Sequence, residues 1–340
     1  IIIFLLPSNS FALRGMSTEV TSSRLLKGTM SSLGQQGGFE ESLILERVFW
    51  SKRGGVQFKA VLFDLDGTLT DTEKIHTKAW EEIVNNEFKA HKETKDRVFD
   101  IHTDLDYVKG IPPYDGALNF FSNCGIKEFE CLRGLRSFID KDKNHEAYEK
   151  LSPMQHKVMD NIGRLAAKKE EHYMHYIKKH PEEVVLIPGA KELLRQLKAE
   201  GKLIAIVSSS IPVREVLEAA GLNGFVDVVV TGGDVGSYCS GLGRHMLGKP
   251  QPDPYIAGAR ELGVSEQECI GFEDSKNGAK ALIDAGIVCI QVGLGPEGKF
   301  DCADFVVNTL REVSVSAQGF NLREKLSSLD DFAGIIDMSA

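Results

Sequence analysis

Short apolar runs alternate with amphipathic stretches through the second half of this chain, and no other feature constrains its fold as tightly. "KLIAIV" (202–207), "FVDVVVTG" (225–232), "CIGFED" (269–274), "VCIQVG" (288–293) and "DFVVN" (304–308) each read as a buried strand, being short, apolar and closed by turn-formers. Between them, 190–200, 213–222, 252–263 and 277–286 read as helices. The first puts Leu193, Leu194 and Leu197 on one face and stops at Gly201. Strands that are apolar throughout, separated by helices, imply a parallel sheet covered on both faces, an α/β doubly wound core. One earlier run, "VQFKAVLFD" (56–64), belongs to the same pattern, with a helix expected over 72–86. Residues 87–183 are more polar and lack convincing strands. The stretch "EAYEKLSPMQHKVMDNIGRLAAKKEEHYMHYIKKH" has helical period interrupted at Pro153, so the block reads as a helical insert. The expected division is a leader over 1–55, a core over 56–72 and 184–312, a helical cap over 73–183 and a tail over 313–340.

In such sheets the working residues gather where strands reach their carboxyl edges. Four polar elements lie there: Asp64 and Asp66; Ser208–Ser210; Lys249 in "GKPQPD"; and Glu273–Asp274 in "GFEDS". Singly each has a plain explanation. The serines and Glu273–Asp274 could cap the following helices, and Lys249 could be a loop lysine. A calcium loop fails, because Gly67 arrives at the fourth position and the twelfth, counted from Asp64, is Ile75. Together they carry chemistry. Two carboxylates about 5 Å apart repel by roughly 3 kcal/mol at an effective dielectric near 20. Glu273, Asp274 and an anionic substrate would add to that, so the cluster calls for cations. Mg²⁺ with carboxylate, carbonyl and water ligands suits it, and Lys249 adds a further positive charge. Ser208 and the backbone N–H groups near Gly67 and Ser209 can hold phosphate oxygens. One aspartate is then placed to attack phosphorus and the other to move protons.

"DLDGT", the serine after "LIAIV", "GKPQPD" and "GFEDS" resemble, in order, the four motifs of the haloacid dehalogenase superfamily of phosphotransferases, over about residues 58–310. The insert after the first motif resembles the helical cap of its β-phosphoglucomutase-like branch. The resemblance implies a Rossmann-like core, with Asp64 as nucleophile and Asp66 as acid/base. It also implies Ser208 and Lys249 on the phosphate, and a Mg²⁺ held by Asp64, the Asp66 carbonyl, Asp274 and Glu273. "LTDTEKIHTKAW" resembles that branch further, with Thr72, His76 and Trp80 on one helix face and His76 assisting substrate. "DYVKGIPPYDG" and "LAAKKEEHYMHYI" resemble its cap, Lys169 matching a position that reaches the active site. Two positions depart: Pro113 stands where the family tends to place an arginine, and Ile211 where a basic residue is common. A mutase must hold a bisphosphate, so these departures favour a phosphatase over a β-phosphoglucomutase-type isomerase, unless Arg214 substitutes. A catalytically silent sugar-phosphate sensor would show loss of a catalytic residue, and none is lost.

Charge and composition narrow the partners. At 340 residues with 42% hydrophobic content the chain can build real cores, and a net charge of −9 argues against nucleic acid. A small phosphorylated metabolite is expected as partner, with a monomeric chain. Cys124, Cys131, Cys239, Cys269, Cys289 and Cys302 lack C-x-x-C spacing and read as reduced. His172, His175 and His180 read as a solvated cap face. No apolar run reaches the roughly 18 residues that cross a bilayer. The leader differs: Ile1–Leu6, Pro7, Ser8 and Ser10 look like the end of a signal peptide. Residues 11–39, with Arg14, Arg24 and Lys27 against Glu19, suit a transit peptide. The pair resembles the two-part presequence of secondary plastids; the alternative is synthesis from Met16 or Met30 and a cytoplasmic protein.

Overall fold

The computed structural model describes residues 58–133, 150–235, 238–239, 242, 244–293, 298–316 and 319–322. The leader, with the targeting expectation placed on it, lies outside them.

Six parallel strands form the central sheet: β1 (Ala60–Phe63), β2 (Leu203–Val207), β3 (Val228–Val230), β4 (Cys269–Glu273), β5 (Val288–Val292) and β6 (Phe305–Val307), in the order β3-β2-β1-β4-β5-β6. Ala60 pairs with Leu203 on one side and Cys269 on the other, so β1 is central and all four of its residues are buried. The pleat divides its side chains. Val61 and Phe63 enter one core with Ile204, Ile206, Ile270 and Phe272, whereas Ala60 and Leu62 enter a second with Ala205, Val207 and Tyr255. Helix α4 (Ala190–Ala199) covers the first face through Leu193, Leu194 and Leu197. Helices α5 (Asp253–Glu261) and α6 (Lys276–Asp284) cover the second through Tyr255 and Leu282. Chain order runs outward from β1 in both directions, which puts the topological switch between β1 and β4, where Asp64 and Asp274 follow their strands.

The insert folds as helices around a core of its own. Helices α1 (Glu73–Ala90), α2 (Pro113–Phe121) and α3 (Pro153–Lys179) bury Trp80, Ile83, Phe88, Phe120, Phe121 and Ile162 together. Pro153 begins α3 instead of interrupting it. Its missing N–H costs nothing at the first helical position, and Ser152 and Gln155 close a reciprocal cap around it. The 184–187 stretch forms no strand, only a single bridge from Thr70 to Leu186. β3 keeps three residues of the apolar run around it, being an edge strand with one partner. Beyond the sheet, Val313–Ser316 and Gly319–Leu322 pair as a hairpin, and the Val315 N–H donates to Gln196 Oε1 on α4 (3.0 Å).

Candidate active site

The backbone sets the two aspartates apart before any side chain does. Asp64 still pairs with the sheet, its N–H donating to the Phe272 carbonyl (3.0 Å). The chain then turns at Gly67, whose φ of 97° is open to glycine and whose missing Cβ would lie 2.2 Å from Asp274 Oδ2. The Gly67 N–H is taken by the Thr70 carbonyl (2.7 Å), so here the glycine serves the site by its shape.

Asp64 faces Lys249, whose Nζ donates to Asp64 Oδ1 (2.7 Å), Glu273 Oε1 (2.6 Å) and the Val207 carbonyl (2.8 Å). Burial pushes the Asp64 carboxyl well above its ordinary range. Lys249 opposes this, and the charges of Glu273, Asp274 and Asp66 add to it. Asp66 goes the other way. Burial would raise it, but His76 and the hydrogen bonds of His76, Thr72 and Tyr173 more than offset that and hold it ionised. Thr72 Oγ1 (2.5 Å) and Tyr173 OH (2.8 Å) donate to its Oδ1, Ser208 Oγ donates to Oδ2 (3.2 Å), and His76 Nε2 lies 3.3 Å away. Thr72 occupies the N-cap of α1 yet makes no capping bond, since its hydroxyl is committed to Asp66.

Asp64, Glu273 and Asp274 are the group of possible metal ligands that comes together among the described residues, with ligand atoms all within 4.8 Å of one another. Burial, opposed by Lys109 and reinforced by Glu273 and Glu73, lifts Asp274 to about 7. Crowded oxygen donors that resist ionising fit a hard divalent cation. Their acceptor capacity differs, however. Glu273 accepts from Lys249, Tyr255 OH (2.7 Å), Ser275 Oγ (3.0 Å) and the N–H groups of Asp274 and Ser275 (both 3.1 Å), so it is bonded on both oxygens. Its neighbour Gly278 leaves room for it, since a Cβ there would fall 1.7 Å from Glu273 Oε1. Asp64 and Asp274 keep more freedom to take a metal.

The cap closes the site. Lys169 Nζ lies 2.6 Å from His76 Nδ1, and the His76 and Tyr173 rings stack with centroids 3.7 Å apart. Lys109, on the loop before α2, sets its Nζ 2.9 Å from Glu73 Oε1 and 3.4 Å from Asp274 Oδ2. Ser209 Oγ donates to the Gly110 carbonyl (3.3 Å). The cleft between them is lined by both aspartates, His76, Trp80, Lys109, Lys169, Ser208–Ser210 and Asp274, together with Ile111 and Pro113. Arg214 is exposed and outside this lining. His172 pairs instead with Glu82 and His180 with Glu182. Sequence reasoning gave no role to Tyr173, Lys109, Glu170 or Tyr255. The spacing 166, 169, 170, 173, 177 in α3 marks the buried stripe that carries two of them.

Residues 58–286 match the haloacid dehalogenase-like hydrolase family. A β-phosphoglucomutase of Mycobacterium bovis is 30% identical over 251 residues, spanning 71% of this chain and 82% of the relative. Hexitol phosphatase A of Escherichia coli is 27% identical over 263 residues, 76% of this chain and 95% of its own length. The crystal structure of a β-phosphoglucomutase from Clostridium difficile shares the fold, with a TM-score of 0.53 at 21% identity over 83% of this chain and all of that one (100%).

Proposed function

The chain belongs to the haloacid dehalogenase-like hydrolases and is an enzyme, and from that premise we propose that it hydrolyses a small phosphate monoester, of a sugar or polyol, through an aspartyl-phosphate on Asp64. The observation that carries the proposal is the contrast between two aspartates one residue apart. Asp64 points to Lys249 beside Asp274, while Asp66 points to the cap and is held by four side chains.

Asp64 attacks phosphorus, the bond to the ester oxygen breaks, and Asp66 gives that oxygen its proton. Asp66 then takes a proton from the water that opens the aspartyl-phosphate, releasing phosphate. The bonds that keep Asp66 ionised suit the second half. In the first half the arriving phosphate, by its charge, favours the protonated form. Lys249 and Ser208 orient the phosphate oxygens, and His76, steadied by Lys169, holds the ester side. Mg²⁺, held by Asp64, Asp274 and the Asp66 carbonyl with Glu273 behind them, would neutralise the carboxylates and stabilise charge on the transferring group.

The Mycobacterium relative supports a second reading, a β-phosphoglucomutase-type isomerase. Pro113 and the exposed Ile211 favour the hydrolase, since neither can grip a second phosphate. Release of phosphate from an aryl phosphate, dependent on Mg²⁺ and reduced at least about 10³-fold by Asp64→Asn, is the expected result. Glucose 6-phosphate formed from β-glucose 1-phosphate with a trace of bisphosphate would overturn the hydrolase reading. No described helix is long and apolar enough to cross a membrane. The plastid assignment of residues 1–55 is tested by fusing them to a fluorescent protein in an alga with secondary plastids.

A further inference from the structure

Glu170 follows Lys169 on α3 and is buried, with 8% of its side chain exposed, yet its carboxylate reaches out of the cap. Oε1 accepts from Lys169 Nζ (2.6 Å). Oε2 accepts the backbone N–H of Ile211 (3.1 Å) and lies 3.4 Å from the Ser210 hydroxyl. Lys169 and Ser210 both line the catalytic cleft. One carboxylate therefore engages Lys169 on α3 together with the Ser210 hydroxyl and the Ile211 N–H on the facing loop.

The two lysines that line the cleft are thus both paired with acids: Lys109 with Glu73 and Asp274, Lys169 with Glu170. Ile111 and Pro113 contribute no charge to the lining, and Ile211, 49% exposed, adds none beside it. A phosphate arriving on this wall would meet Lys169 and Ser210 already paired with an anion seated behind them. Lys169, His76 and the Ile211 N–H keep Glu170 ionised in spite of its burial.

We propose that Glu170 is a specificity-determining residue that excludes a second phosphate from the cleft, confining the enzyme to monophosphates whose remaining end is an uncharged sugar or polyol. This rests on the phosphate-ester reading of the site and assigns the far end of its substrate. The selection is negative, working by a carboxylate set against the wrong ligand instead of a contact added for the right one.

Glucose 6-phosphate and glucose 1,6-bisphosphate share one sugar and isolate the effect. Binding by calorimetry and phosphate release are measured for both, with the parent and with Glu170→Gln. The parent is expected to prefer the monophosphate by at least about 10-fold in each measurement, and Glu170→Gln to shrink that preference about 10-fold. Because the result is a ratio within one protein, a variant that folds less well lowers both numbers without moving it. Ile211→Lys, on the exposed rim with Glu170 intact, supplies a second arm and is expected to raise bisphosphate binding selectively. Equal use of the two ligands by the parent, or a ratio unmoved by Glu170→Gln, overturns the proposal. Discrimination in binding without phosphate release from either sugar overturns the hydrolase reading and leaves Glu170 its role; release without discrimination does the reverse.

Discussion

Asp115, in the first turn of α2, is buried, and burial lifts its carboxyl to about 7 from an ordinary value of 3.8. The unfolded chain gives up that proton first, so the native state holds more protons between these values. Stability should accordingly fall as pH rises through that window. Asp115→Asn removes the dependence: between pH 4 and pH 8 the variant should gain about 1–3 kcal/mol on the parent in urea unfolding, and parallel curves would disprove the assignment. Tyr173 tests the catalytic side at the same scale. Tyr173→Phe keeps the stacking on His76 and removes one hydrogen bond to Asp66. A hydrogen bond to a charged group is worth about 1.5–3 kcal/mol, so kcat should drop about 10–100-fold in steady-state assays while KM changes little. Tyr173 had no reading from the chain alone, and Lys169 was placed at the site only by the resemblance of its stretch. Their partners lie 107 and 93 residues away, and nothing local in "LAAKKEEHYMHYI" encodes which distant residue each will meet.

At the level of elements, legibility followed burial. β1, β2, β4 and β5 are covered on both faces and so are almost wholly apolar, Glu273 and Gln291 being the exceptions, a pattern that reads as a strand without any partner being known. Asp64, Ser208 and Asp274 were equally plain, because each follows such a strand directly, whereas Lys249 lies in a loop well past β3. The hairpin at 313–322 escaped notice because "VSVS" and "GFNL" are short and its anchor, Gln196, belongs to a distant helix. Pro153 looked like a break because proline is incompatible with a helix interior, whereas Ser152 before it made it a beginning. The two-sided core also fixes a cost. Phe272 on β4 stacks on Phe63 of β1 with centroids 4.8 Å apart, below the carboxyl edge that carries Asp64 and Glu273. Phe272→Ala should destabilise by about 3–5 kcal/mol in urea unfolding, and a loss under 1 kcal/mol would contradict the packing described.

Across the whole molecule, cap and core meet with almost no slack. A Cβ on Gly248, in the loop that carries Lys249, would lie 2.2 Å from the Pro112 ring, and one on Gly110 would lie 2.5 Å from Ser275 Oγ. Asn277 Nδ2 also donates to the Lys109 carbonyl (3.2 Å). Gly248→Ala should wedge the cap away from the site. We expect kcat/KM to drop about 10–100-fold while the melting temperature changes by only a few degrees, and unaltered kinetics would show that this contact does not set closure. The central position of β1 has another consequence, for the birth of the chain. Its neighbour β2 pairs Leu203 with Ala60, so the whole cap is made between the two partners. At synthesis rates of roughly 5–20 residues per second, β1 leaves the ribosome many seconds before either strand that will flank it exists. A nascent chain halted before residue 203 therefore carries an unpaired apolar strand, and is the point at which a chaperone has most to hold.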